Sequence, residues 1–118
     1  MKNELIERTK RFGIDRWHFC FKVPKSREYN AFVNQLIRSS SSVGANYRAS
    51  QRAKSTADFI NKLKIVEEEV DESVYWLEIF EEVLSGNPEE ISNLQKEERE
   101  LLAITVASIN TAKRNSNK

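Results

Sequence analysis

Apolar side chains recur every three or four residues through most of this 118-residue chain, which is the period of an amphipathic α-helix. The repeat is interrupted at Pro24, around Ser55 and at Gly86, where residues that end or begin helices occur. The pattern therefore predicts four helices, at roughly residues 3–21, 27–52, 56–85 and 88–113. Because short turns join them, we expect an all-α fold, an antiparallel up-down four-helix bundle formed as one domain by residues 1–118.

The third predicted helix has the most regular apolar pattern. Its seam advances in alternating steps of four and three residues, which is typical of helices packed along a common axis. The seam consists of Phe59, Leu63, Val66, Val70, Ser73, Leu77, Phe80 and Leu84. A flanking stripe is too apolar to be fully solvated, and it predicts a second contact surface. This stripe consists of Ile65, Glu69, Glu72, Trp76, Ile79 and Val83.

The first and last helices each have one inward-facing stripe. The first stripe consists of Leu5, Thr9, Phe12, Arg16 and Phe19. The second consists of Ile91, Leu94, Glu98, Leu101, Thr105, Ser108 and Ala112. Residues suited to helix ends support the predicted bounds. Ser26 and Ser55 suit N-cap positions. Gly86 suits the C′ position of the third helix, and Asn87 suits the N-cap of the fourth.

Four consecutive serines, at residues 39–42, and then Gly44 lie inside the predicted second helix. The apolar register continues through them, with Ser40 at the one position where an apolar residue is missing, whereas a linker would lose the register. Serine and glycine cost a few tenths to about 1 kcal/mol each relative to alanine in a helix. We therefore expect Ser40 and Gly44 to keep one side of the helix thin, so that another helix or a neighbouring subunit can approach closely.

Two carboxylates on the third helix are expected to be partly buried. Glu69 and Glu72 lie between apolar positions of the flanking stripe, and a buried carboxylate needs a partner. Arg38 or Arg48 on the second helix is the best candidate for this partner. Such a polar link between two helices would fix their register.

The charge of the chain is strongly asymmetric. Residues 1–54 carry twelve basic and four acidic side chains, a net charge of +8, whereas residues 55–118 carry seven and fourteen, a net charge of −7. Either the basic half contacts an anionic partner, or the two halves neutralise each other within the fold or between subunits. Basic residues would bind phosphates in a salt-sensitive manner without reading sequence. The candidates are Arg8, Lys10, Arg11, Arg38, Arg48, Arg52 and Lys54.

Few enzyme classes fit the sequence. There is no phosphate-binding glycine loop, and His18 is the only histidine, so a metal pair with Asp15 lacks the second histidine of a di-iron bundle. The acidic residues 67–72 could hold a metal, but a solvated helix face is the favoured interpretation. Arg11 and His18 have a spacing also found in small helical ribonucleases, which leaves that activity as an alternative. We expect no catalysis, no cofactor and no metal.

The sequence also indicates where the protein resides. Cys20 is the only cysteine and cannot form an internal disulfide, which favours a reducing compartment. No run of about 18 apolar residues could span a bilayer, and the N-terminus lacks the apolar core of a signal peptide. We therefore expect a cytoplasmic protein with no membrane partner.

Four sequence blocks occur in a specific order: QLIRSSSSVGANY at 35–47, RAKS at 52–55, DFI and KL within 58–63, and YWLE at 75–78 after Glu69 and Asp71-Glu72-Ser73. Together they resemble the bacterial four helix bundle protein family. That family includes proteins encoded within intervening sequences of 23S ribosomal RNA genes. It is similar to the accessory variability determinant of diversity-generating retroelements. The resemblance extends over nearly the whole chain.

The resemblance implies a left-turning antiparallel four-helix bundle that assembles into a homopentamer with a central opening. It also implies binding to RNA or DNA, and for the retroelement relative an association with reverse transcriptase; it implies no catalysis. Residues within or beside the matched blocks are assigned structural or assembly roles: Ser40, Gly44, Asn46, Glu69, Glu72, Tyr75 and Trp76. Ala49 stands where the broader pattern often has a glutamate; if that carboxylate pairs with Arg38 in the family, Glu69 or Glu72 must do so here.

The predicted function is therefore that of a non-enzymatic, self-assembling accessory protein for ribosomal RNA or for RNA associated with a reverse transcriptase. The alternative is an oligomeric protein-interaction scaffold with no nucleic-acid role. A ribonuclease that uses Arg11 and His18 is the third hypothesis.

Overall fold

The computed structural model describes residues 3–86 and 88–117, and within them the chain forms four helices and no strand. The helices are α1 (Glu4–Phe21), α2 (Arg27–Ser50), α3 (Thr56–Val83) and α4 (Pro88–Ser116). The predicted all-α fold is confirmed, and each helix end lies within three residues of its predicted position. No helix in the described part of the chain is long and apolar enough to cross a membrane.

Local hydrogen bonds explain where the helices begin and end. The hydroxyl of Ser26 accepts from Tyr29 N at 3.0 Å, and that of Ser55 accepts from Asp58 N at 3.1 Å, so both predicted N-caps are confirmed. The C-cap of α3 is Leu84. Ser85 is therefore the C′ residue, and the prediction that Gly86 takes this position is wrong by one residue. Gly86 follows it with a φ of 92°. The predicted N-cap Asn87 lies outside the described residues.

The helices pack as a closed ring of neighbours, α1 on α2, α2 on α3, α3 on α4 and α4 on α1, with the α1–α4 contact the lightest. The bundle is elongated, with extents of 51 × 25 × 23 Å. Its core consists of two buried clusters, one towards each end of the long axis. The first cluster includes Phe12, Tyr47, Leu63 and Ile109, and the second includes Phe19, Leu36, Phe80 and Ile91.

Helices α1 and α2 approach each other closely at their glycines. A Cβ atom added to Gly44 would lie 3.1 Å from the carbonyl oxygen of Thr9. One added to Gly13 would lie 3.2 Å from the carbonyl oxygen of Ser40. The prediction that Ser40 and Gly44 keep one side of α2 thin is confirmed, and the helix that approaches is α1. Gly13, which weakens the helical pattern of α1 in the sequence, is the complementary small residue of this contact.

The four serines of α2 have different surroundings. Ser39 and Ser40 are buried, whereas Ser41 is exposed. Ser73 on α3 donates to the hydroxyl oxygen of Ser39 at 2.9 Å, so the first serine contacts α3 while the second faces α1. Each hydroxyl also donates to a carbonyl of the preceding turn, which satisfies it inside the helix.

The buried face of α4 differs from the prediction near its end. Ile109 is buried, whereas Ser108 is half-buried. A strict heptad repeat has a period of 3.5 residues, so an α-helix with 3.6 residues per turn drifts away from it. After Thr105 the buried face therefore advances by four residues instead of three.

Candidate nucleic-acid interface

Arg8, a predicted nucleic-acid contact, is held by carboxylates of α4. Its Nε and Nη2 donate to both oxygens of Glu97 at 2.7 and 2.8 Å, and Nη2 also donates to Glu100 at 2.6 Å. A bidentate arginine–carboxylate pair of this kind is among the strongest charge-assisted contacts. The side chain of Arg8 therefore links α1 to α4.

Two further charge pairs join the same helices. Lys22 lies 2.9 Å from Glu90 near one end, and Arg16 lies 3.2 Å from Glu98 in the core. The lightly packed α1–α4 contact thus carries charge pairs at three levels of the bundle. For these residues the basic and acidic halves neutralise each other within the fold, one of the two possibilities that the sequence leaves open.

Arg38 makes the polar link between α2 and α3 that the sequence predicts. Its Nη2 donates to Glu72, and its Nη1 lies 3.5 Å from Glu69. Trp76 Nε1 donates to the same Glu72 carboxylate at 3.1 Å. The hydrogen bond from Arg38, followed by that from Trp76, lowers the pKa of Glu72 below its ordinary value. The predicted Arg38 link is confirmed. Arg38 is thus the second candidate phosphate contact, after Arg8, that carboxylates of the same chain engage.

The remaining five candidates are exposed cations with no ion pair to any described carboxylate: Lys10, Arg11, Arg48, Arg52 and Lys54. Lys10 on α1 and Arg48 on α2 line one groove, between the two helices, with a volume of about 430 Å³. Arg52 and Lys54 follow in the turn that leads to α3. The backbone N–H of Lys54 donates to Asp58 at 3.0 Å, which fixes that turn. Arg11 lies on α1, outside the residues that line the groove.

The fold converts the charge asymmetry of the sequence into a polarity along the long axis. Because neighbouring helices are antiparallel, the starts of α1 and α3 share one end with the ends of α2 and α4. This basic tip comprises residues 3–9, 44–64 and 105–117, with eight basic and three acidic side chains. The acidic tip comprises residues 17–35, 77–86 and 88–94, with three basic and six acidic side chains. The net charges are +5 and −3, so the field attracts a polyanion more strongly to the basic tip than to the acidic tip.

The predicted assembly residues on α3 form a partly exposed aromatic surface. Tyr75 is 53% exposed and packs edge-on against Trp76, with ring centroids 4.9 Å apart. Trp76 also contacts Phe32 of α2, at 5.7 Å between centroids. Asn46, by contrast, donates to the Ser42 carbonyl of its own helix at 2.9 Å. The side chain of Asn46 thus makes a local contact, while about half of Tyr75 is exposed.

The buried ion pair between Arg16 and Glu98 was not singled out by sequence reasoning. Arg16 is fully buried, and its guanidinium donates to the backbone carbonyls of Phe12 and Leu94 at 3.2 and 2.8 Å. Burial raises the pKa of Glu98 to about 7, although the Arg16 cation acts against this rise. The signal was present in the sequence, because both predicted inward-facing stripes contain a charge, one of each sign.

The residues considered for metal binding or catalysis lie on α1 and α3. Within residues 3–86 and 88–117, no group of three or more histidine, cysteine, aspartate or glutamate side chains is arranged to hold a metal ion. Cys20 is buried, and burial raises the pKa of its thiol to about 12. Arg11 and His18 lie exposed on α1, about two turns apart. The ribonuclease alternative stays a prediction.

Comparison with known proteins agrees with the resemblance seen in the sequence. A protein of unknown function from the S23 ribosomal protein family of Bacteroides thetaiotaomicron has a similar solved structure, with a TM-score of 0.81 and 27% sequence identity over 88% of this chain and 96% of that one. No curated protein matches the chain. The family model for the 23S rRNA-intervening sequence protein matches residues 1–107. Since this match covers most of the sequence, the chain belongs to the 23S rRNA-intervening sequence protein family.

Proposed function

We propose that this chain is a non-catalytic RNA-binding accessory protein that contacts phosphates through its basic tip and the adjoining α1–α2 groove. The observation that carries the proposal is the set of exposed cations that no described carboxylate pairs with, of which Lys10 and Arg48 line one groove. Arg8 and Arg38, by contrast, are held by carboxylates within the fold. The unpaired set is therefore available to an external anion.

Electrostatic recognition of this kind depends on salt. Each phosphate that a cation neutralises releases counterions, so the logarithm of affinity for a single strand falls by about 0.7 per contact for each tenfold rise in salt. Five cations on one chain give modest affinity. Assembly of further copies, in the homopentamer that the family resemblance implies, would bring several such sets together and increase both affinity and field.

The test compares two variants with the same loss of charge. Arg48→Gln/Arg52→Gln removes two unpaired cations of the basic tip, whereas Lys96→Gln/Arg99→Gln removes two exposed cations of α4. We expect the first variant to bind RNA more weakly. The slope of the logarithm of affinity against the logarithm of salt concentration should become shallower by about 1.4. The second variant should bind as the unmodified protein does. Equal effects of the two variants, or no RNA binding by the unmodified protein, would overturn the proposal.

The second candidate function is a protein-interaction scaffold without nucleic acid, and the exposed apolar area of α3 favours it. Ile65, Tyr75 and Val83 all lie exposed on this helix. A scaffold held by basic and acidic surfaces on different subunits would loosen in high salt. Light scattering after gel filtration of nuclease-treated protein at low and high salt measures this directly. A mass that falls with salt, with no RNA affinity, would favour the scaffold.

A further inference from the structure

Two large aromatic side chains of α1 are exposed side by side. Trp17 is 51% exposed and Phe21 is 69% exposed. Their rings are stacked, with centroids 5.8 Å apart and planes 16° from parallel. Such rings normally lie in the core or at an interface, since each carries a large apolar area. Neither belongs to the two core clusters. The pair therefore forms an exposed aromatic platform outside the core.

Cations flank this platform on both sides. Trp17 lines one part of the α1–α2 groove, and Lys10 and Arg48 line the same groove. Lys10 precedes Trp17 by seven residues, or about 10 Å along the helix. Beyond the platform, Lys25 Nζ lies 5.8 Å from the centroid of the Phe21 ring. The order along α1 and its following turn is thus cation, aromatic, aromatic, cation.

The groove is also free of negative charge. Its lining includes two cations and no carboxylate, in a chain with nearly equal numbers of acidic and basic residues. The opposite side of α1 is different, because Asp15 there shares a shallow depression with Glu89 and Glu90 of α4. Charge complementarity therefore selects an anionic ligand for the α1–α2 side, and the rings select one with flat apolar parts.

We propose that the α1–α2 groove and the Trp17–Phe21 platform bind single-stranded RNA, with unpaired bases stacked on the rings and phosphates at Lys10, Arg48 and Lys25. This inference rests on the proposed function and names its ligand class. A single strand can turn its bases outward onto aromatic side chains, whereas a duplex keeps its base faces stacked inside. Stacking is tolerant of sequence because every base has a flat face.

The first test uses a 12-nucleotide oligouridylate and a 12-base-pair RNA duplex, with matched aromatic substitutions. Trp17→Ala should weaken oligouridylate binding about tenfold or more, in line with the effect of removing one stacking contact. Duplex binding, which uses phosphate contacts alone, should change little. Tyr75→Ala is the control, because Tyr75 is exposed to a similar degree on α3. Circular dichroism establishes that both variants remain folded.

The outcomes separate this inference from the proposed function. If the unmodified protein binds both RNAs and Trp17→Ala binds them equally well, the platform is wrong and the RNA-binding function stands. If the unmodified protein binds neither RNA, both are wrong. If it binds a polyglutamate peptide through Trp17 but no RNA, the groove serves an acidic protein partner and the inference is overturned.

The second test reports on stacking directly. Trp17 and Trp76 are the two tryptophans of the chain, so Trp76→Phe leaves Trp17 as the sole tryptophan. The fluorescence of Trp17 in this variant should change on saturation with oligouridylate and stay constant with the duplex. Unchanged fluorescence on saturation with the single strand would overturn the stacking model.

Discussion

Arg16 on α1 and Glu98 on α4 form an ion pair that is buried in the bundle, with Arg16 Nη2 3.2 Å from Glu98 Oε1. Glu98 Oε1 and Arg16 Nε make no hydrogen bond to another described group. Burial of a carboxylate costs free energy that an imperfectly bonded cation only partly offsets. The pair thus joins the first and last helices by charge at a cost in stability that depends on protonation.

The first prediction concerns the pH dependence of stability. The pKa of Glu98 is raised from 4.5 to about 7, so the folded state holds its proton more tightly than the unfolded state does. The contribution of Glu98 to the free energy of unfolding is fully present below pH 4.5 and is lost as the pH rises through 7. The total loss is on the order of 3 kcal/mol. Urea denaturation at pH 5 to 8 should show the unmodified protein losing stability relative to Glu98→Gln. Parallel curves for the two proteins would contradict this.

The charged groups around Glu98 determine the pH at which this loss of stability occurs. Arg16 and Arg99 lower its pKa, whereas Glu78 on α3 raises it. Substituting Glu78 by Gln should therefore move the transition to lower pH without abolishing it.

The second prediction concerns the close approach of α1 and α2. Gly44→Leu places a side chain where even a Cβ would lie 3.1 Å from the Thr9 carbonyl oxygen, so the helices must separate. We expect the free energy of unfolding to fall by about 1–3 kcal/mol, the usual cost of overpacking. Ala45→Leu is the control, because Ala45 is the exposed neighbour on the same helix. Equal midpoints of thermal unfolding for the two variants would show that the contact is looser than described.

The third prediction separates the two roles assigned to basic residues. Arg8 is held by Glu97 and Glu100, so Arg8→Gln should lower the free energy of unfolding by about 1 kcal/mol and leave RNA affinity nearly unchanged. Arg48 has no such partner among the described residues. Arg48→Gln should therefore weaken RNA binding and leave the free energy of unfolding nearly unchanged. Affinity and urea denaturation measured on both variants test this. Loss of RNA binding in Arg8→Gln equal to that in Arg48→Gln would contradict it.

The fold was predictable because periodicity alone determines most of it. The seam of α3 is buried from Leu63 to Phe80 as the spacing indicates, and Ser26 and Ser55 cap helices where the sequence places them. The pairing of Arg38 with Glu69 and Glu72 was predictable because both carboxylates lie between apolar positions of α3 and need a basic partner when partly buried. These inferences need only local spacing or one interhelical contact.

The charge pattern was less predictable because it depends on which helices are neighbours. The sequence places Arg8 among candidate phosphate contacts, but only the α1–α4 contact brings Glu97 and Glu100 to it. The same is true of the basic tip, which collects residues from all four helices. Exposure of Trp17 was equally hidden, because the apolar residues at 17, 19, 20, 21 and 23 do not mark a single face of a helix.

The salt dependence of RNA affinity shows whether this protein binds phosphates through exposed cations. For the unmodified protein, we expect the dissociation constant for a 12-nucleotide oligouridylate to rise about 100-fold between 50 and 200 mM salt, from a slope near −3.5 for five phosphate contacts. That result would establish electrostatic binding with the number of phosphate contacts that the unpaired cations can supply. An affinity that does not change over this range, or no binding at 50 mM, would contradict the account and favour the protein-interaction scaffold.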